Sequence, residues 1–334
     1  MPKVSVIIPN YNHARFLEKR IKSVLDQTYQ DFEVIYLDDA STDNSDQVFA
    51  KFASDKRVQA MYNESNSGSP FKQWNKGIRY SQGDYIWIAE SDDYADKRLL
   101  AELVDRLDNN PTVGLAYCQS WVVDEYDNTT YTSKEWIDFS DKKRWNNDFI
   151  DVGNECGRHL LFENTIPNAS AVLIRRTIYE KAGYVDESMR LCGDWMLWVK
   201  MLLISDIAFV AEPLNYYRAH SQTVRNEANS NGLSVEEIYQ VVRYILDNYN
   251  FATEVVEQLC EVMIHKWLDI GFSDKTKISW NRNYRIYKIA SDVDSKLKLR
   301  LLKRAVLNLL GWLQLVAPVR IISRYTKYVL RWHC

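Results

Sequence analysis

Residues 85 to 96 read YIWIAESDDYAD, an apolar, aromatic-rich run that ends in Glu90, Asp92 and Asp93. Carboxylates this close repel one another unless a cation, water or hydrogen-bond donors offset their charge. A divalent metal does so most directly. Hard oxygen ligands suit Mg2+ or Mn2+, which bind through one or two carboxylates together with substrate phosphates. Alone, the segment reads more simply as a solvated acidic loop. The run before it argues otherwise: Tyr85 to Ala89 has the character of a buried strand, which delivers its next residues to the carboxyl edge of a sheet. In open α/β sheets that edge binds ligands.

Three further segments carry polar groups to the ends of apolar runs. Pro9-Asn10-Tyr11-Asn12 closes the first run and offers Tyr11 to stack on a base. Leu37-Asp38-Asp39-Ala40-Ser41-Thr42-Asp43 closes the second, where an acid accepts hydrogen bonds from a base or a ribose. Ser41 is placed to cap the next helix. Gly193-Asp194-Trp195 opens the helical pattern Met196, Leu197, Val199, Lys200, Leu203. Each has a plain structural explanation: a helix cap for Asp194, a hydrogen-bonded structural residue for His220, core packing for Trp121, Trp136, Trp145 and Trp195.

The elements that position these groups alternate. Val4 to Ile8, Phe32 to Leu37, Val58 to Tyr62, Tyr85 to Ala89, Gly114 to Tyr117, Ala171 to Ile174 and Ile207 to Val210 read as strands, with helical patterns between them. Phe16, Ile21, Val24 and Leu25 fall at helical spacing between the first two, giving a βαβ unit with parallel strands. The pattern predicts an α/β layered domain over about residues 1 to 215. Residues 121 to 165 break the alternation and read as an excursion over the sheet edge, suited to an acceptor or a lid. From 232 the chain turns helical, with Ser234 and Glu237 predicted as a capping box and another helix over Val255 to Ile270.

The order and spacing of VSVIIPNYN, LDDASTD, Asn66-x-Gly68, IAESDD, GDWMLW and YRAH resemble the family 2 inverting glycosyltransferases of GT-A fold, of the bacterial cell-surface polysaccharide type. The resemblance covers about residues 3 to 225. It implies a Rossmann-like, mostly parallel central sheet with flanking helices, followed here by a C-terminal helical extension. A GT-A domain over 1–225, a helical region over 226–294 and a basic amphipathic tail over 295–334 are expected. It places Pro9, Tyr11, Asp38, Asp39 and Asp92 at the donor nucleotide, with Arg218 and His220 of YRAH near the diphosphate. Asp93, Asp92 and then Glu90 are implied as ligands of Mg2+ or Mn2+, and Asp194 as the catalytic base. Gly193 stands where most members have an acid. The usual Ala-Arg-Asn is replaced around Gln73-Trp74-Asn75, and Lys72 is the cation expected to take over the work of that Arg.

The resemblance thus implies a nucleoside diphosphate-sugar donor and a saccharide or lipid-linked acceptor. A noncatalytic nucleotide-sugar-binding or scaffold protein of the same fold is the alternative. A dinucleotide oxidoreductase is disfavoured because PNYNHA lacks the glycines of its phosphate turn, and no nucleic-acid partner is expected. The oligomeric state stays open. Cys118, Cys156, Cys192, Cys260 and Cys334 form no CxxC pair, which points to a reducing compartment without disulfides. The short apolar start is not the pattern of a signal peptide, so sequons at Asn63, Asn128 and Asn168 are expected to stay unused and the chain to remain cytoplasmic.

The chain holds 42 Lys and Arg against 45 Asp and Glu, a net charge of −3. Residues 295–334 contribute nine of the basic groups and no acid, leaving 33 basic against 45 acidic before them. Arg300, Arg304, Asn308, Gly311 and Gln314 form a narrow polar stripe on an otherwise apolar helix. Beyond Pro318, Arg320, Arg324, Lys327 and Arg331 share a face opposite Ile321, Ile322, Tyr325, Val329 and Trp332. Such a basic amphipathic pair suits an anionic membrane surface, here the inner face of the cytoplasmic membrane, the alternatives being that its apolar face docks on the body or on a second subunit.

Overall fold

A computed structural model describes residues 1–137, 143–220, 231–271 and 278–312. The chain forms two compact units, one of Met1–His159 with Thr165–Ser221, the other of Leu160–Asn164 with Gln222–Cys334. Strands of the first are β1 (Val4–Asn10), β2 (Phe32–Asp38), β3 (Val58–Tyr62), β4 (Tyr85–Ile88), β5 (Tyr94–Ala95), β6 (Val113–Val123), β7 (Thr129–Thr132), β8 (Phe149–Asp151), β9 (Val172–Arg175) and β10 (Asp206–Arg218). Its helices are α1 (Ala14–Leu25), α2 (Ser45–Ala50), α3 (Pro70–Tyr80), α4 (Leu99–Asp108), α5 (Lys134–Ile137), α6 (Gly153–Cys156), α7 (Arg176–Lys181) and α8 (Gly193–Leu202).

The strands make one sheet in the order β3-β2-β1-β4-β9-β6-β10-β5, with β7 beside β6 and β8 beside β10. β1, β2, β3, β4, β6 and β10 run in one direction, so their carboxyl ends share an edge. β9 runs against them, between β4 and β6. It therefore enters the sheet from that shared edge and brings Asn168 and Ser170 there. The periodicity of a short buried strand carries no directional information, which is why a sequence reading leaves this reversal out.

β1, β2 and β4 bury every residue, which accounts for their largely apolar runs, and the interior polar pair Ser5 and Glu33 is hydrogen-bonded across β1 and β2 at 2.7 Å. Val6, Ile8, Leu17, Tyr36, Trp87 and Leu103 pack on one face of the sheet. On the other, Gly77 of α3 lies so close to β1 and β2 that a Cβ would stand 2.5 Å from Ile7 and 2.9 Å from Leu37.

Two expectations change. β10 runs past Val210 to Arg218, because bulges around Pro213 absorb the residues that read as breakers. The predicted excursion over 121–165 is in part sheet: β6 extends to Val123, β7 pairs with it and β8 pairs with β10. Residues 138–142 of that segment lie outside the described residues.

The second unit contains helices α9 (Leu233–Asn248), α10 (Thr253–Gly271), α11 (Trp280–Val293) and α12 (Leu297–Trp312). The predicted capping box does not form. α9 is entered through Gly232 at φ 77°, the Asn231 side chain accepts the Leu233 N–H at 3.0 Å, and Ser234 is buried in the first turn. Glu236 is engaged by α11 through Arg282 at 3.0 Å and Arg285.

Ala40, in the turn after β2, sits at φ 61°, where an L side chain crowds the following carbonyl. Ala40→Gly should raise the unfolding free energy by about 1 kcal/mol, the order of the left-handed penalty, measured by urea denaturation. A loss of stability would show that the Ala40 methyl packs usefully.

Candidate active site

β4 ends at Ile88 and β5 begins at Tyr94, so Glu90 to Asp93 are confined to one turn at the carboxyl edge. Arg218, at the end of β10, clasps that turn. Its Nε donates to the Asp92 carbonyl at 2.7 Å and its backbone N–H to Asp93 Oδ1 at 2.8 Å. Its Nη1 and Nη2 reach the β6–β7 turn, donating to the Asp124 carbonyl at 2.9 Å and Asp127 Oδ1 at 2.6 Å. The guanidinium lies 4.5 Å from the Phe16 ring and is buried.

Asp93 is buried beneath the turn. Its Oδ2 accepts from Asn168 Nδ2 at 3.1 Å and lies 3.9 Å from Arg20 Nη2. Burial and the neighbouring Asp92 charge raise its pKa, against the pull of Arg20. Arg20 is fully buried, and desolvation takes its pKa down to about 10, which leaves it charged at neutral pH. Its Nε donates to the Glu90 carbonyl at 2.7 Å. Glu90 Oε1 accepts from Trp74 Nε1 at 2.7 Å, and the Glu90 N–H is taken by Ser170 Oγ at 3.1 Å. Burial, then the Asp92 charge, pushes the Glu90 carboxyl up to about 8.

Asp92 is different. His220 Nε2 stands 3.0 Å from its Oδ2, and His13 completes the group, its Nδ1 2.9 Å from Ser91 Oγ. The two imidazole rings meet edge to face at 5.7 Å. Burial alone would raise the Asp92 pKa, but the His220 hydrogen bond and the two imidazoles outweigh it and hold the carboxyl low. One ligating atom from each of His13, Asp92 and His220 lies within 4.8 Å of the others. Two nitrogens and a carboxylate oxygen so arranged fit a divalent transition metal. An open hollow of about 480 Å3 adjoins His220, lined by Asp124, Glu125, Tyr126 and Ala219.

The first two strand ends carry the expected acids inward. Asp38 accepts from Tyr36 at 2.8 Å, Asn10 at 3.1 Å and the Ser41 N–H at 2.7 Å. Asp39 accepts from the Ser67 N–H at 2.9 Å, Ser67 Oγ at 2.8 Å, Gln73 at 2.9 Å and Asn63. Ser41 is not a helix cap, since its Oγ accepts from the Asn12 N–H at 3.0 Å and Asn10 at 3.1 Å. Asp43 instead accepts the Ala14 N–H at 2.9 Å and the Ser45 N–H at 3.0 Å. Pro9 lies within β1, and Tyr11, just beyond it, is 46% exposed at the edge. Lys72 is exposed and donates to the Ser67 carbonyl at 3.1 Å.

α8 packs closely on α3 at Gly193, the residue before Asp194. A Cβ on Gly193 would stand 2.6 Å from the Phe71 ring, and Phe71 meets Trp74, the donor to Glu90, edge to face at 5.1 Å. An acid at 193 would displace that contact. Asp194, in the first turn of α8, accepts the Trp195 N–H at 2.7 Å.

Residues 5–166 match the family model described as Glycosyl transferase family 2. The chain carries a family 2 glycosyltransferase domain. An uncharacterized glycosyltransferase of Rickettsia typhi is 27% identical over 230 residues, covering 68% of this chain and 67% of its own. Among solved structures, Staphylococcus aureus TarS residues 1–349 in complex with UDP-GlcNAc superposes with TM-score 0.64 at 17% identity, covering 89% of this chain and 83% of that one. A mannosyltransferase of Pyrobaculum calidifontis in complex with GDP-Man and Mn2+ superposes at 0.56 and 15% identity, covering 99% and 85%. These likenesses show the GT-A fold.

In this glycosyltransferase the expected residues separate by role. Tyr11 and Lys72 are exposed at the edge, whereas Asp92 keeps 22% of its side chain exposed and His220, which lines the hollow, only 7%. Arg218, expected beside the diphosphate, is buried, with its guanidinium shared between two turns. Asp93, expected first among the metal ligands, is bound by Asn168 and the Arg218 N–H and is not in the ligating group. The fold adds His13, Arg20, Trp74, Asn168 and Ser170. Arg20 was open to detection, being a cation on the apolar stripe of Leu17, Ile21 and Val24. The Asn168 sequon is buried, and Trp136, Trp145 and Trp195 are core residues rather than sugar platforms. Cys118, Cys156, Cys192 and Cys260 are free and buried.

Glu90 sets a pH dependence of stability. The unfolded chain releases this proton near pH 4.3, whereas the folded enzyme keeps it to about 8. Stability therefore falls as pH rises through that window, because the unfolded state binds fewer protons. Glu90→Gln should gain stability relative to wild type from pH 5 to 8, by denaturant titration in EDTA. A constant difference across that range would remove the assignment.

Proposed function

We propose that this glycosyltransferase moves a sugar, with inversion, from a nucleoside diphosphate-sugar to a saccharide or lipid-linked acceptor in cell-surface polysaccharide synthesis. Its place of action is the inner face of the cytoplasmic membrane, reached through the basic tail. The observation that carries the reading is the convergence of His13, Asp92 and His220 at the carboxyl edge, beside exposed Tyr11. Tyr11 stacks on the base. Asp38 and Asp39 hold the turns that shape the nucleotide pocket, and Lys72 lies where a phosphate would gain from a cation.

Asp92, with His13 and His220, would hold Mg2+ or Mn2+, the nitrogen ligands favouring Mn2+. Such an ion supplies Lewis-acid stabilisation of the charge that develops on the leaving diphosphate. Glu90 and Asp93 support the turn that presents Asp92. Asp194 acts on the other side of the sugar: its carboxylate takes the proton of the acceptor hydroxyl as that oxygen bonds to the anomeric carbon and the diphosphate departs. A single displacement inverts the configuration, and no enzyme nucleophile is required.

Asp194→Asn should lower kcat about 10²–10⁴-fold, the usual contribution of a general base, while calorimetry shows donor binding retained. Wild-type turnover by this variant would exclude Asp194 as base. His13→Ala should weaken Mn2+ binding, followed by electron paramagnetic resonance in the presence of nucleoside diphosphate, about 10–100-fold. Unchanged Mn2+ affinity would remove His13 from the ligand set.

A further inference from the structure

The tail pattern predicts a narrow polar stripe on an otherwise apolar helix. In the described part of α12 that stripe begins facing inward. Arg300, the first residue of that stripe, points inward: its Nη1 and Nη2 donate to Glu261 and Glu257 of α10, and its Nε lies 3.0 Å from Asp294. Lys296 also pairs with Glu257, at 2.6 Å. Leu297 is buried on the same side.

The outer face is apolar. Leu299 is 64% exposed, Leu302 63% and Val306 46%. Their spacing of three and four residues puts them on one stripe. Lys303, four residues after Leu299, shares that stripe, and Lys298 flanks it, both exposed. The same unit exposes Trp280 and Tyr284 on α11, residue types that favour the interface between water and lipid headgroups. Water gains nothing from an apolar stripe of this kind, whereas the inward ion pairs fix its orientation.

We infer that the Leu299, Leu302 and Val306 face of α12 docks on an anionic lipid surface, a claim that rests on the membrane association proposed above and names the face that makes it. Charge selects this occupant over an apolar protein partner. Residues 295–334 hold nine basic groups and no acid. Lys298 and Lys303 stand where long side chains lay their methylenes along acyl chains and keep the ammonium among phosphates. The leucines enter only as far as the headgroup boundary. No helix among the described residues is long and apolar enough to cross a membrane.

The test is flotation of the full chain with vesicles of phosphatidylcholine, with and without phosphatidylglycerol. Wild type should float only with the anionic lipid. Leu299→Glu/Leu302→Glu should weaken partitioning about a hundredfold or more, from the loss of two buried leucines. Lys298→Gln/Lys303→Gln should weaken it about thirtyfold, from two charges near the surface. Thermal melting and sugar transfer to a soluble acceptor should match wild type in both variants. Wild-type flotation by the leucine variant would overturn this face while leaving the tail on the membrane. Absence of flotation by wild type would overturn both the face and the membrane reading. A leucine variant that floats normally but changes from dimer to monomer in sedimentation would assign the face to a second copy instead.

Discussion

Glu90, Asp92 and Asp93 must coexist in one turn of low dielectric, and much of the carboxyl edge is arranged around that repulsion. Each acid is handled differently. Glu90 keeps its proton and accepts from Trp74; Asp93 is matched by Arg20, Asn168 and the Arg218 N–H; Asp92 remains ionised beside two imidazoles. Only the last sets its carboxylate within reach of two imidazole nitrogens. Splitting the charge in this way leaves one working anion where three equal anions would drive the turn open.

The groups that meet this constraint come from distant parts of the chain. Arg20 rises from α1, Trp74 from α3, Asn168 and Ser170 from the approach to β9, Arg218 from the end of β10. Breaking a buried charge pair by removing one partner is costly, typically about 3–5 kcal/mol, so the fold and the site are bound to one another. The same logic explains Arg218. Its fork bridges the acidic turn and the Asp124–Asp127 turn, which fixes His220 two residues later against Asp92. A residue of YRAH that resembles a phosphate ligand here ties two turns together.

Packing sets the second half of the site. Gly193 allows α8 to close on Phe71, and Phe71 leads through Trp74 to Glu90. Gly193 and the α3 residues Phe71 and Trp74 thus form one packed chain that ends on Glu90. Neither part is intelligible alone, because the contact joins residues more than a hundred positions apart.

The sequence by itself determined the sheet-forming runs, the parallel direction of β1 and β2, and the delivery of Tyr11, Asp39, Asp92 and Asp194 to element ends, since these follow from local periodicity and from where apolar runs stop. It also exposed the charge of the tail. Only the tertiary structure decided which acid is free to work, that Arg218 and Asp93 are internal, that His13 joins Asp92 and His220, and that Arg300 turns inward while leucines face out. Burial, hydrogen-bond partners and pKa depend on what arrives from elsewhere in the chain, and one-dimensional spacing holds no record of it.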